Sequence, residues 1–183
     1  MKKKLAFLMS LMMTTILIFG LFPSMNSQAK QPSYLMDVKK DYLYGGPGET
    51  SVYHTYSFVG KDTAGKFKGF NNWKQTFVYP DQTIEYTHYE KETNKGLFND
   101  NNIALPYPIK KGARWTVNGK KYSISSINKT IKVPAGTFKN VIEVKIVTDL
   151  GSAYRYYAQN VGLIMTFAEG RIMSELKEVK AKK

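Results

Sequence analysis

Trp115 to Ile124 reads "WTVNGKKYSI", alternating large and polar residues around a central Asn118-Gly119. Both residues of that pair tolerate the positive φ that a type I′ turn demands, which makes it a strong signal for a β-hairpin. A two-residue turn there also sets the register, with Val117 opposite Lys120 and Trp115 opposite Tyr122. Trp115, Val117, Tyr122 and Ile124 then share one face, an apolar stripe that can hold a sheet against a core.

The same period of two recurs on both sides of this hairpin. "TSVYHTYSFV" (Thr50 to Val59) places Val52, His54, Tyr56 and Phe58 on one face. "NWKQTFVY" and "TIEYTHYE" flank Pro80-Asp81-Gln82, a second hairpin with a proline-initiated turn. In "TIKVPAGTFKNVIEV" (Thr130 to Val144) the alternation breaks at Val133-Pro134-Ala135-Gly136, with proline and glycine where a type I turn favours them. That break is a folding device: the proline stops the strand, Phe138 serves as an apolar plug beside the bend, and Ile142, Val144 and Ile146 point inward on the next run. Thr137, the one hydroxyl there, has no neighbouring base to activate it.

"SAYRYYAQNVGLIMTF" (Ser152 to Phe167) reads as a further hairpin turning at Asn160 and Gly162. In "GRIMSELKEVKAKK" Ile172, Leu176 and Val179 also fit helical spacing, but the run of strands before it favours an edge strand. "VKKDYLY" (Val38 to Tyr44) and "IKKGARW" (Ile109 to Trp115) echo one another, too briefly to establish a repeat. The expected fold is mainly β, an antiparallel meander forming a curved sheet or half-open β-barrel, with an N-terminal signal helix.

The signal is read from residues 1–29. Lys2, Lys3 and Lys4 precede an apolar run from Leu5 to Phe22, and the stretch ends in Ser27-Gln28-Ala29. Basic, apolar and small-residue parts in that order predict a secretory leader cleaved after Ala29, leaving 30–183 as a single β-rich domain with no stable transmembrane segment. The chain contains no cysteine, so no disulfide staples it and a thiol nucleophile is excluded. The formal charge of +13 falls by three, to +10, with the leader removed. The lysines are scattered along the chain and form no nucleic-acid-binding block, so the expected partners are anionic wall polymers or lipid, held weakly and salt-sensitively. The expected location is secreted, with retention at the cell wall.

Three elements, "LPYPIKKGARW", "TIKVPAGTFKNVIEV" and "YRYYAQNVGLI", together resemble a signature of exported bacterial proteins and lipoproteins, many of them without an assigned activity. Lys111, Gly112 and Trp115 match its first element. Thr130, Val133, Pro134, Ala135, Gly136, Thr137 and Phe138 match the second, and Tyr156, Tyr157, Ala158, Val161, Gly162 and Leu163 the third. Gln159-Asn160 stands where members often carry Pro-Gly. The similarity covers Leu105 to Ile164 and implies a fold like the half-open barrel of lipoprotein carriers, which cups lipid on an apolar sheet face. The matched positions are turn formers and core aromatics, so the resemblance speaks to fold and hardly to activity.

Chemistry-bearing constellations are few. His54 and His88 are the only histidines, too far apart in sequence and without cysteine partners for a metal site, and no cofactor is expected. Phe98 to Asn102, "FNDNN", suits a turn better than a calcium loop. Glu85 or Glu90 with His88 offers a glycan hydrolase reading, weakened because Glu85 alternates to the opposite face from Tyr86 and His88 and because glutamates are usually exposed. A ligand site, where there is one, is expected on an apolar face formed by Tyr86, Trp115, Tyr122, Tyr154 and Tyr156. The leading expectation is thus a secreted or wall-retained, non-catalytic β-protein binding an apolar or envelope-derived ligand. The alternatives are a secreted hydrolase of envelope glycans and a secreted toxin or inhibitor.

Overall fold

The computed structural model describes residues 32–149 and 151–182, and the expected signal helix lies outside them. These residues form twelve strands. The first six are β1 (Lys40–Gly45), β2 (Tyr53–Lys61), β3 (Asn71–Val78), β4 (Thr83–Thr93), β5 (Gly96–Asn99) and β6 (Asn102–Pro106). The second six are β7 (Arg114–Val117), β8 (Lys120–Val133), β9 (Gly136–Thr148), β10 (Gly151–Ala158), β11 (Gly162–Ala168) and β12 (Arg171–Ala181). One 3₁₀ turn, Gly65–Phe67, interrupts the pattern, and no helix among the described residues is long and apolar enough to cross a membrane.

All twelve strands belong to one antiparallel sheet in the order β6-β5-β4-β3-β2-β1-β12-β11-β10-β9-β8-β7. Each half is a simple meander, and the pairing of β1 with β12 joins them. The echoing strings at Val38 and Ile109 lead into the first strand of each half. β6 and β7 are consecutive in the chain yet occupy opposite edges of the sheet. Laid flat, twelve strands about 4.8 Å apart would put those edges roughly 50 Å from one another. Residues 107–113 must bridge that gap, and so short a segment reaches less than ~30 Å even when extended. The sheet therefore curls into a nearly closed barrel. The Trp115 indole N–H on β7 donates to the Ile103 carbonyl on β6 at 3.0 Å, although no ladder pairs these two strands among the described residues.

The hairpins follow the sequence reading closely. Asn118 and Gly119 both have positive φ, 49° and 78°, and Val117 pairs with Lys120 and Trp115 with Tyr122. Val78 pairs with Thr83 across Pro80-Asp81-Gln82. Val133 pairs with Gly136, so Pro134-Ala135 is the whole turn between β8 and β9. Its use is visible in the packing. Shifts in register along β8 bend this long hairpin across the sheet, where the Ala135 N–H donates to the Leu176 carbonyl at 3.2 Å. Val133, Val141, Tyr156, Ile164 and Leu176 bury one another there, with Phe138 packed against them.

One expectation needs correcting. The final strand is not an edge: β12 lies at the centre of the sheet between β1 and β11. Its edge-like polarity reflects outward charges such as Lys180, paired with Glu178 at 2.8 Å, and not a missing neighbour. On β9, Ile142, Val144 and Ile146 are buried in one cluster as expected, and Val141, beside Asn140 with φ 53°, is buried in the other.

Candidate functional site

Alternation along β4 puts His88, Glu90 and Glu92 on one face, and the two carboxyls meet the segment that precedes β1. The Met36 N–H donates to Glu90 Oε2 and the Tyr34 N–H to Glu92 Oε1, each at 3.0 Å. Two residues apart on both sides, these contacts imitate a ladder in which carboxylates replace backbone carbonyls. Tyr107 donates its hydroxyl to the same Glu92 oxygen. The Asn160 N–H caps the other side by donating to the Ser33 carbonyl at 2.9 Å. Ser33 to Asp37 thus forms a strap across one end of the barrel, with the Tyr34 and Met36 side chains buried beneath it.

The strap lies on Gly162. A Cβ at that position would stand 3.0 Å from Met36 Cγ and 3.4 Å from the Tyr34 carbonyl, and the residue has φ 86°. Gly162→Ala is expected to lower the unfolding free energy by about 2 kcal/mol, from left-handed backbone strain and displacement of the strap. Urea titration measures the loss, and faster amide exchange at Tyr34 and Met36 locates it.

Met36 also forms one wall of a cavity of about 210 Å³ inside the sheet. Around it stand Tyr44, His54, Tyr56, His88, Glu90 and Tyr157, with Asn99, Leu163, Met165, Thr166 and Ser174 completing the lining. The rings are packed with fixed geometry. His54 stacks between Tyr44 at 5.1 Å and Phe77 at 4.8 Å, and Tyr56 meets His54 and His88 edge-on at 5.8 and 5.5 Å. Burial governs the ionisation of this group. It lowers His54 to about 4 and raises Glu90 to about 8 against the pull of the Met36 N–H. It also lowers His88, which the nearby Arg155 pushes the same way and Asp100 opposes. At neutral pH the lining therefore presents two uncharged imidazoles and a protonated carboxyl. Among the described residues neither imidazole makes a hydrogen bond, and the Asn99 Oδ1 is buried without a partner. Arg155 approaches from β10 with its guanidinium held by Tyr157, whose hydroxyl favours the charged form.

This arrangement separates the acids that the sequence grouped together. Glu85 is exposed and pairs with Lys74 at 3.2 Å, as its phase on the strand predicts. Glu90 departs from the expectation that glutamates are solvated: it is 3% exposed, because the strap covers it. A glycosidase needs two carboxyls facing one another across its substrate. The cavity has one, Glu90, and Glu92 is bound to Tyr34 and Tyr107.

The five aromatics expected to line a ligand face do not all share one hollow, although Tyr122 and Tyr154 line a pocket of about 220 Å³ together. Trp115 and Tyr122 pair across β7 and β8 and stack at 5.5 Å. Tyr86 is 55% exposed and meets Phe77 edge-on. Tyr154 and Tyr156 alternate to the face of β10 opposite Arg155 and Tyr157, where Tyr154 packs on Phe167 and Tyr156 hydrogen-bonds Glu143. None of the five lines the cavity built around Tyr44, His54, Tyr56 and Tyr157. His54 and Tyr56 were legible as one face of "TSVYHTYSFV", but nothing local in the sequence sets that face against β4 and β10.

No protein-family model matches the chain, and no curated protein matches it either. Two solved structures are similar to it. One is a protein inferred to be exported, with a YmcC-like fold, from Bacteroides fragilis NCTC 9343: 14% identical, covering 82% of this chain and 99% of that one, with a TM-score of 0.43. The other is a protein inferred to be a lipoprotein from Parabacteroides distasonis ATCC 8503, 14% identical over 81% of this chain and 99% of that one, with a TM-score of 0.46.

Proposed function

We propose that this is an exported, non-enzymatic β-barrel-like protein that holds a small, uncharged, envelope-derived molecule inside its sheet. The leader-like residues 1–29 support export. The cavity is the observation that carries the binding reading: aromatic walls supply apolar contact, while neutral His54, His88 and Glu90 offer hydrogen bonds without charge. Such a lining suits a ligand with an apolar body and one or two hydroxyl or amide groups. Its volume of about 210 Å³ falls below the ~300 Å³ usual for drug-sized ligands, so a compact molecule fits better than a whole lipid. With a single carboxyl at the cavity, the hydrolase reading has no acid–base pair to work with.

Native mass spectrometry of the protein recovered from the envelope of the cells that produce it provides the test. A bound small molecule is expected on the wild type and is expected to be lost in Ser174→Phe, whose ring fills the cavity from β12. An adduct that survives Ser174→Phe, or a wild type recovered bare, overturns the proposal.

A further inference from the structure

The lysines that look scattered in the sequence are sorted by the fold. In an antiparallel meander every second connection lies at the same end of the sheet, so charges far apart in sequence meet there. At the end that carries the strap, the β2–β3 loop (61–71) holds Lys61, Lys66 and Lys68 against Asp62. The β4–β5 turn adds Lys95, and Lys91 reaches the β2–β3 loop from β4, its ammonium donating to the Lys68 carbonyl. Lys180 and Lys182 close β12 at this end, the latter with its ammonium over the Phe58 ring.

The opposite end has the reverse character. Its connections carry Glu49, Asp81 and Asp149, and Glu169 lies 3.8 Å from Arg171. Only the β7–β8 turn, with Lys120 and Lys121 beside it, is basic there. The barrel is therefore electrically polar along its axis, a property that composition cannot express.

We infer that the strap end docks on an anionic phospholipid surface, holding the barrel axis across the membrane plane with the acidic end outward. Charge complementarity is the first argument, since basic segments beside a bilayer are drawn to acidic headgroups within a Debye length. Aromatic residues in the same basic loop are the second. Phe67 and Phe70 meet edge-on, Phe67 stacks on Tyr89 at 4.0 Å, and Lys66 and Lys91 lie over these rings at 5.4 and 5.1 Å. Half-buried rings beneath ammonium groups suit the headgroup level of a bilayer, where amphipathic side chains collect. The inference is independent of what the cavity holds.

Two double substitutions with the same change in net charge provide the test. Lys66→Glu/Lys68→Glu reverses charge at the strap end, and Lys120→Glu/Lys121→Glu does so at the other; all four lysines are exposed. Cosedimentation is measured with vesicles of phosphatidylcholine alone and of phosphatidylcholine with phosphatidylglycerol. The wild type is expected on the acidic vesicles only, in a salt-sensitive manner. The first pair is expected to weaken binding at least tenfold and the second by less than about twofold, with unchanged circular dichroism for both. Equal losses would show that net charge alone binds and would overturn the oriented surface. Tight binding to soluble polyglycerol phosphate without binding to acidic vesicles would overturn it in favour of a wall polymer.

Discussion

Gly96→Ala is expected to lower the melting temperature by about 10 °C or more, or to prevent folding. Gly96 begins β5 with φ 148°, and a Cβ there would stand 2.2 Å from the Leu105 carbonyl oxygen, 3.1 Å from its carbon and 3.2 Å from Pro106 Cα. All three are backbone atoms of β6, so no rotamer change relieves the collision. β5 and β6 must part. Leu97 and Leu105, both fully buried, then lose the contacts of a core cluster that also holds Ile124, Ile142 and Tyr157. Burying a leucine is worth about 1.5–3 kcal/mol, so the loss of two exceeds 3 kcal/mol. Gly48→Ala separates this clash from the conformational cost: it has φ 70° and nothing within 4 Å. About 1–2 kcal/mol is expected there. Equal melting temperatures for the two variants would refute the close approach of β5 to β6.

The second large effect depends on pH. Burial pushes the Glu90 carboxyl from its ordinary 4.5 up to about 8, so the folded state holds a proton that the unfolded chain releases. Its burial costs nothing below pH 4.5, costs progressively more up to pH 8, and is constant above that. Glu90→Gln keeps an acceptor for the Met36 N–H and has no charge to bury. The variant is therefore expected to match the wild type near pH 4.5 and to be more stable by a few kcal/mol at pH 8, at about 1.4 kcal/mol per pKa unit. The histidines act in the opposite sense. His54 falls from 6.5 to about 4 on folding and His88 also falls, so both remove stability as pH drops below 6.5. Wild-type stability should peak at about pH 6–7, and Glu90→Gln should steepen the rise from pH 4.5 to that peak and flatten the decline above it. An alkaline decline that persists unchanged in the variant would assign it to other groups.

Much of the sheet was legible because its hairpins are local. Asn118-Gly119 and Pro80-Asp81-Gln82 dictate register through turn geometry, and Val133-Pro134-Ala135-Gly136 announces a stop that needs no knowledge of the rest. What local pattern does not encode is which strands meet at a distance. β12 read as an edge strand because its pairing with β1 spans almost the whole described chain. The strap was equally hidden. "QPSYLMDV" (Gln31 to Val38) has no clean period, and Glu90 and Glu92 look like surface acids until Met36 and Tyr34 lie against them. The cavity draws on β1, β2, β4, β5, β10, β11 and β12, so His54, Tyr56 and Tyr157 could be read as core residues but not as neighbours of Glu90. Tyr86, Trp115, Tyr122, Tyr154 and Tyr156 could be read as strand aromatics, but nothing in the local pattern showed that Tyr122 and Tyr154 would share one pocket while none of the five lines the cavity at Tyr44. The basic end escaped notice for a related reason, since only the meander brings Lys66, Lys95 and Lys182 to one end of the sheet.

The account rests on a carboxyl buried under the N-terminal strap, beside a neutral cavity, acting as an anchor and not as a catalyst. The most direct measurement is a carbon-13 NMR titration of the Glu90 side-chain carboxyl in the folded protein. The structure predicts a midpoint at about 8, with Gly162→Ala, which loosens the strap, moving it downward. A midpoint near the ordinary carboxyl value of 4.5 in the wild type would mean that Glu90 meets water, that the strap does not cover it, and that the cavity is not the site described.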